Sequence, residues 1–265
     1  FKIMKYAKKS LGQNFLIDTN IIRKIIKLIN ISNRNILEIG PGKGALTDEI
    51  LKNSPKSLIL VEKDHSICEE LKLKYKSNKN VEVNNQDILK FDLEKKIKKN
   101  TIIFGNLPYN ISSQILVKMI KFKIWPPNYS DVVFMFQKEM AERIVGKYNT
   151  SQYGRLSILT SYRLNIVDKF NVSPNCFFPK PKIKSTVIYL KPKQNILYNV
   201  KNIENLEKIT NIFFSNKRKM INKNIKKIFK TDSKVNSIEN LNLKSRPSEV
   251  KPEKYYKITE LFEKI

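Results

Sequence analysis

Four consecutive residues, Asn106-Leu107-Pro108-Tyr109, carry the groups needed to hold an amino nitrogen beside an electrophile. Proline fixes its own backbone and biases Leu107 to an extended shape. The Asn106 side-chain oxygen and a nearby main-chain carbonyl then converge on one point. Two acceptors there take both hydrogens of an exocyclic amine and draw its lone pair out of conjugation with a base ring. The proton becomes acidic only after the nitrogen attacks, so positioning and charge placement carry the rate rather than a strong base. Tyr109 offers a face for a flipped or unpaired base, a contact worth roughly 1 to 3 kcal/mol in single-strand binders. A strand-end turn with a surface tyrosine is the plain alternative, but Asn-x-Pro-Tyr is more specific than such a turn requires.

A second group of residues reads as a nucleoside site. The apolar run Ile36 to Ile39 leads into Gly40-Pro41-Gly42-Lys43-Gly44 and then a helical pattern. Alternate glycines let backbone pass close to a ligand and present amide donors at a helix start. Glu62 ends the next apolar run, where an acidic residue accepts hydrogen bonds from ribose hydroxyls in a doubly wound fold. Alone, the glycines equally make a tight turn and Glu62 a solvated strand end; together, on these elements, they favour a ligand. The loop reads G-x-G-x-G rather than the dinucleotide pattern G-x-G-x-x-G, which points to S-adenosylmethionine. Asp87, beside Gln86, fits a contact to an adenine amino group and fits a turn-capping aspartate equally well.

These residues need a scaffold that brings strand ends together. Short β-branched runs alternate with helical patterns, as in a parallel sheet flanked by helices. Strands are expected at Asn35 to Ile39, Ser57 to Glu62, Val81 to Asn84, Thr101 to Phe104 and Asp131 to Phe136. Ile21, Ile22, Ile25, Ile26 and Ile29 mark a helix over Asn20 to Ile29, and Arg155 to Arg163 also reads as helical. Asn165 to Val172 and Ser185 to Leu190, joined by the proline-rich Pro174 to Pro181, are expected to add antiparallel strands at the sheet edge. Lys191-Pro192-Lys193 marks a boundary. Beyond it the pattern is helical, and the apolar spacing of Ile209 to Phe229 predicts a helix bearing Lys217, Arg218 and Lys219. The expected domains are residues 1–193, with a basic N-terminal arm, and 194–265.

The chain has 265 residues, 41% of them hydrophobic, enough for one substantial core and a smaller second domain. Lys and Arg total 51 against 24 Asp and Glu, a net charge of +27. A polyanion is the natural partner of such a surface, although the abundance of Lys, Asn and Ile together also reflects composition drift. No run reaches the roughly 18 apolar residues of a membrane span, and no signal peptide is visible, so a cytoplasmic protein is expected. Cys68 and Cys176 lie far apart and His65 is the single histidine, which indicates no disulfide framework and no metal site.

With those motifs in order, the chain resembles the ribosomal RNA adenine dimethyltransferase family, the small-subunit branch, nearly end to end. Gly12-Gln13-Asn14-Phe15-Leu16 is similar to the family's opening motif, Glu38-Ile39-Gly40-Pro41-Gly42 to its first cofactor motif and Asn106 to Ser112 to its catalytic motif. Tyr153-Gly154-Arg155-Leu156-Ser157 and Phe177 to Ser185 match later signatures. The resemblance implies an α/β, Rossmann-like S-adenosylmethionine-dependent methyltransferase sheet with a small all-α C-terminal domain. It implies that Asn14, Leu16, Gly40, Glu62, Asp87 and Asn106 contact S-adenosylmethionine, that Asn106 and Tyr109 hold the target adenine, and that Phe177 closes the other face of its ring. Gln137-Lys138-Glu139 takes a structural or RNA-facing role. Lys217, Arg218, Lys219 and Arg155 are the expected RNA contacts, and Arg246 to Glu253 resembles a further family pattern, with Pro247 where small residues are common. The implied reaction is dimethylation of two adjacent adenines near the 3′ end of small-subunit (16S) ribosomal RNA, by a monomer acting on an immature 30S-type particle. A large-subunit methyltransferase of the antibiotic-resistance type and a ribosome-assembly factor are the competing readings.

Overall fold

The computed structural model describes residues 13–231 and 233–265; Gly12 and the expected basic arm lie outside them. In chain order the elements are β1 (Phe15–Leu16), α1 (Thr19–Ile26), β2 (Asn35–Ile39), α2 (Ala45–Lys52), β3 (Ser57–Glu62), α3 (His65–Lys74), β4 (Val81–Asn85), α4 (Leu93–Lys96), β5 (Thr101–Asn106) and α5 (Ser112–Ile120). There follow β6 (Tyr129–Gln137), α6 (Lys138–Ile144), α7 (Arg155–Arg163), β7 (Leu164–Val172), β8 (Phe177–Phe178), β9 (Ser185–Pro192), α8 (Ile203–Phe214), α9 (Asn222–Phe229) and α10 (Pro252–Phe262).

Seven strands form one sheet in the order β4-β3-β2-β5-β6-β9-β7. The first five run parallel, and β9 adds antiparallel to β6 with Ser185 opposite Gln137. Parallel central strands are covered on both faces and read as continuous apolar runs, as Leu58, Leu60, Ile102, Ile103 and Phe104 do, all fully buried. The order reverses between β2 and β5, so a crevice opens beyond their carboxyl ends, where such sheets bind ligands.

A side chain sets the start of α1. The Asp18 carboxylate accepts from the amides of Asn20 (2.9 Å) and Ile21 (3.0 Å) and begins α1 one residue ahead of the expected start. That helix ends at Ile26 rather than Ile29, because the amides of Leu28 and Ile29 bond three residues back and tighten the last turn.

The chain divides into two compact units. One holds the described residues up to Lys118 together with Ile124–Ala141 and Ile166–Pro192; the other holds Met119–Lys123, Glu142–Asn165 and Lys193–Ile265. The crossings are therefore several, and α7 belongs with the C-terminal helices rather than with the sheet. Tyr153 donates to the Val250 carbonyl (2.9 Å), and the Tyr162 and Tyr256 rings lie 4.9 Å apart, joining α7 to α10.

The expected helix over Ile209 to Phe229 is two helices. Residues 215–221 form a turn, with Lys217, Arg218 and Lys219 exposed on it. With the helix broken, Ile221 packs fully buried and its amide bonds the Ser245 carbonyl (2.9 Å). Pro247 starts a short 3-10 turn, where a missing amide costs nothing, and its carbonyl accepts from Tyr255 (2.7 Å).

Candidate active site

A cavity of about 390 Å³ lies at the carboxyl ends of the parallel strands, lined by Asn14, Leu16, Gly40, Glu62, Asp87, Asn106 and Tyr109 among others. Six of those seven are the expected cofactor contacts, and Tyr109 is an expected base contact.

β2 ends at Ile39, and the loop after it turns through left-handed glycines at Gly40, Gly42 and Gly44. At Gly42, φ is +55° and an added Cβ would stand 2.7 Å from the Phe15 ring. Only glycine lets β1 and the loop close together here. Glu62, at the end of β3, is buried and spans the loop: the Gly42 amide donates to Oε2 (3.3 Å) and the Asp64 amide to Oε1 (2.9 Å). Burial raises its carboxyl above the ordinary value against the pull of those amides. Each oxygen keeps a lone pair for further hydrogen bonds. Asp87 accepts from the Leu89 amide (2.9 Å) and pairs with Lys63 (2.8 Å), which holds its carboxyl below the ordinary value. Its turn-capping and cavity-lining roles coexist.

Glu38 also lines the cavity, and the sequence reading gave it no role of its own. It is completely buried, accepts from the Thr47 hydroxyl (2.7 Å), and burial pushes its carboxyl up to about 8. The glutamate therefore stays neutral near pH 7 and adds no charge to the cavity.

Asn106 closes β5. Its Nδ2 donates to the Asn14 main-chain carbonyl (3.0 Å). That bond occupies the amide nitrogen and leaves Oδ1, the acceptor end, available. Gly105 just before it packs closely: a Cβ would stand 2.6 Å from Leu107 Cδ2 and 3.2 Å from the Phe134 ring, so a larger residue would have to displace both side chains. Tyr109 shares a hydrogen bond with the Ser185 hydroxyl (2.7 Å) on β9. Burial raises its phenol above the ordinary value, so the ring stays neutral. Ser185 is legible in the sequence as a motif end and a strand start but not as a partner of Tyr109, since 76 positions separate them and no spacing pairs them.

Phe177 does not line the cavity. It is buried in β8, opposite Leu16 of β1 in a separate two-stranded sheet. Through that pairing the segment bearing Phe177 adjoins the one bearing Asn14 and Leu16. Gln137 is half-buried at the end of β6, in register with Ser185, and Lys138 and Glu139 begin α6. Arg155, at the start of α7, pairs with Glu207 of α8 (3.9 Å). Among the described residues no group of three or more His, Cys, Asp or Glu side chains is placed to hold a metal. No described helix is long and apolar enough to cross a membrane.

Comparison with known proteins gives concordant results. The ribosomal RNA adenine dimethylase family matches residues 4–264. A ribosomal RNA small subunit methyltransferase A from Pelagibacter ubique (strain HTCC1062) is 43% identical over 262 residues, covering 98% of each chain. A dimethyladenosine transferase from Plasmodium falciparum superposes with a TM-score of 0.77 at 27% identity, over 94% of this chain and 98% of that one. The 23S rRNA methyltransferase ErmE shares the fold at 23% identity and a TM-score of 0.69, over 94% of this chain and 100% of its own.

Proposed function

This chain belongs to the ribosomal RNA adenine dimethylase family, and from that premise we propose that it dimethylates two adjacent adenines near the 3′ end of small-subunit ribosomal RNA within an immature particle. The observation that carries the chemistry is the anchored amide of Asn106, whose nitrogen is held by the Asn14 carbonyl at 3.0 Å.

S-adenosylmethionine, when bound, supplies an electrophilic methyl carbon on a sulfonium. The cavity suits it: about 390 Å³ in volume, a glycine loop too tight for side chains, and a buried carboxylate with acceptor capacity to spare. Glu62 accepts from the ribose hydroxyls, and Asp87 accepts from the adenine amino group of the cofactor. Asn14, Leu16 and Gly40 shape the wall around it.

The target adenine stacks on Tyr109, whose ring Ser185 fixes in place. Asn106 Oδ1 and a main-chain carbonyl of the same run accept the two amine hydrogens, so the nitrogen lone pair swings toward the methyl carbon. As the new N–C bond forms, the methyl–sulfur bond would break with its electron pair staying on sulfur, leaving the neutral thioether S-adenosylhomocysteine; the nitrogen gains positive charge, and these oxygens stabilise it where it develops. The proton then leaves an already acidic ammonium. After the first transfer one N–H remains, and Asn106 Oδ1 accepts it for the second. Lys217, Arg218 and Lys219, with Arg155, contact the particle's phosphates. The protein acts as a monomer.

Asn106→Ala tests this reading. Methyl transfer to immature small subunits, followed with a tritiated methyl donor, should fall by at least the roughly 100-fold typical of losing one charge-stabilising group, with particle binding retained. Dimethylation at the wild-type rate would remove Asn106 from the reaction.

A further inference from the structure

The loop from Pro179 to Lys184 joins β8 to β9, and both of its ends are fixed to the wall of the cavity. Phe177 pairs with the cavity-lining Leu16, and the Ser185 hydroxyl is 2.7 Å from that of Tyr109. The Lys138 amide donates to the Lys184 carbonyl (3.0 Å), tying the loop to the end of β6. β9 starts where β6 ends, so the loop emerges at the same edge of the sheet as Gly40, Glu62 and Asn106.

Within the loop Pro181 is buried, while Lys180, Lys182 and Lys184 are exposed. None of the three forms an ion pair with a described residue. Other lysines near this edge differ: Lys43 pairs with Glu70 (2.6 Å), Lys63 with Asp87 (2.8 Å) and Lys74 with Asp48 (2.7 Å). Ammonium groups without carboxylate partners meet an incoming anion without first breaking an ion pair. Pro179 and Pro181 restrict the backbone that carries them, so less freedom is lost when the anion is gripped.

We propose that Lys180, Lys182 and Lys184 form a phosphate-binding ridge that grips the RNA backbone next to the adenine presented at Tyr109. This rests on the adenine dimethylation reading and deepens it, because it separates the grip on the strand at the reacting base from docking on the turn at Lys217 to Lys219. Lysine on an irregular loop suits phosphates whose path varies, since it binds as a point charge rather than through a fixed fork.

The test uses the full chain and small subunits purified from a bacterial strain lacking its own adenine dimethyltransferase. Particle binding and methylation are measured across a salt series for wild type, for Lys180→Gln with Lys182→Gln and Lys184→Gln, and for the corresponding triple arginine variant. Affinity for S-adenosylhomocysteine, measured by calorimetry, should match wild type in both variants. In the glutamine variant the KM for particles should rise, and the slope of log affinity against log salt should fall by about two, at roughly 0.7 per single-strand phosphate contact. The arginine variant should restore the slope. An unchanged slope in the glutamine variant, beside an active wild type, overturns the ridge alone, as does an equal loss in both variants. Wild-type protein that leaves the particles unmethylated overturns the functional reading and the ridge with it.

Discussion

At the level of single residues, the side chains facing the cavity were legible and those behind them were not. Asn106, Tyr109, Glu62 and the glycines announce themselves because, taken together at the ends of successive strands, their types suit a nucleoside and an amine. The groups that orient them leave no such trace. The Asn14 carbonyl that holds Asn106 is main chain, which any residue type would provide. Ser185 reaches Tyr109 only because β9 adds beside β6. If that bond positions the ring, Ser185→Ala and Tyr109→Phe should each cost roughly 0.5 to 1.5 kcal/mol in transition-state stabilisation, and the double variant no more than either alone. Additive losses in kcat/KM would assign the two residues independent roles. Glu38 carries a stability prediction. Between about pH 4.5 and about 8 the unfolded chain has released a proton that the folded chain retains, so this residue makes stability fall as pH rises through that window. Glu38→Gln keeps an acceptor for Thr47 and should flatten the decline in denaturant midpoint from pH 5 to pH 8; an unchanged decline would show that Glu38 ionises at its ordinary value.

At the level of elements, the five parallel strands were readable because buried parallel strands are unbroken β-branched runs. β1 and β8 were not, since two residues carry no periodicity. Yet that small pairing brings Leu16 opposite Phe177 and sets Phe15 against Gly42. Gly42→Ala adds a side chain at φ +55° and against the Phe15 ring, at a cost of about 1 to 3 kcal/mol of local strain. Calorimetry should show cofactor affinity reduced by roughly tenfold or more, and Phe15→Ala should relieve part of that loss by removing the clashing ring. Wild-type affinity in Gly42→Ala would mean that the loop does not need its tight approach to β1. The break between α8 and α9 escaped the sequence because Phe213, Phe214, Met220 and Ile221 keep helical spacing across it. Asn224 donates to the Phe213 carbonyl (3.4 Å), closing the end of α8 from the following helix, a long-range cap that spacing does not encode.

At the level of the whole molecule, Lys191-Pro192-Lys193 signals a break, and the units divide between Pro192 and Lys193 rather than after Lys193, whereas the membership of Glu142–Asn165 in the C-terminal unit was not visible. It depends on tyrosines such as Tyr153 and Tyr162 finding partners about a hundred positions away. The net charge of +27 is spread along the sequence, so composition alone does not locate a binding face. Neutralising Lys217, Arg218 and Lys219 together should weaken particle binding and reduce its salt dependence by up to about two in slope, while a slope equal to wild type would assign that charge to composition. What the family membership leaves to experiment is which RNA is modified and where. The direct measurement is mass mapping of methylated nucleotides after incubating the protein and S-adenosylmethionine with immature small subunits and, in parallel, with naked large-subunit RNA. The predicted result is two adjacent N6,N6-dimethyladenosines near the 3′ end of the small-subunit RNA, absent with Asn106→Ala; modification confined to the large-subunit RNA would contradict it.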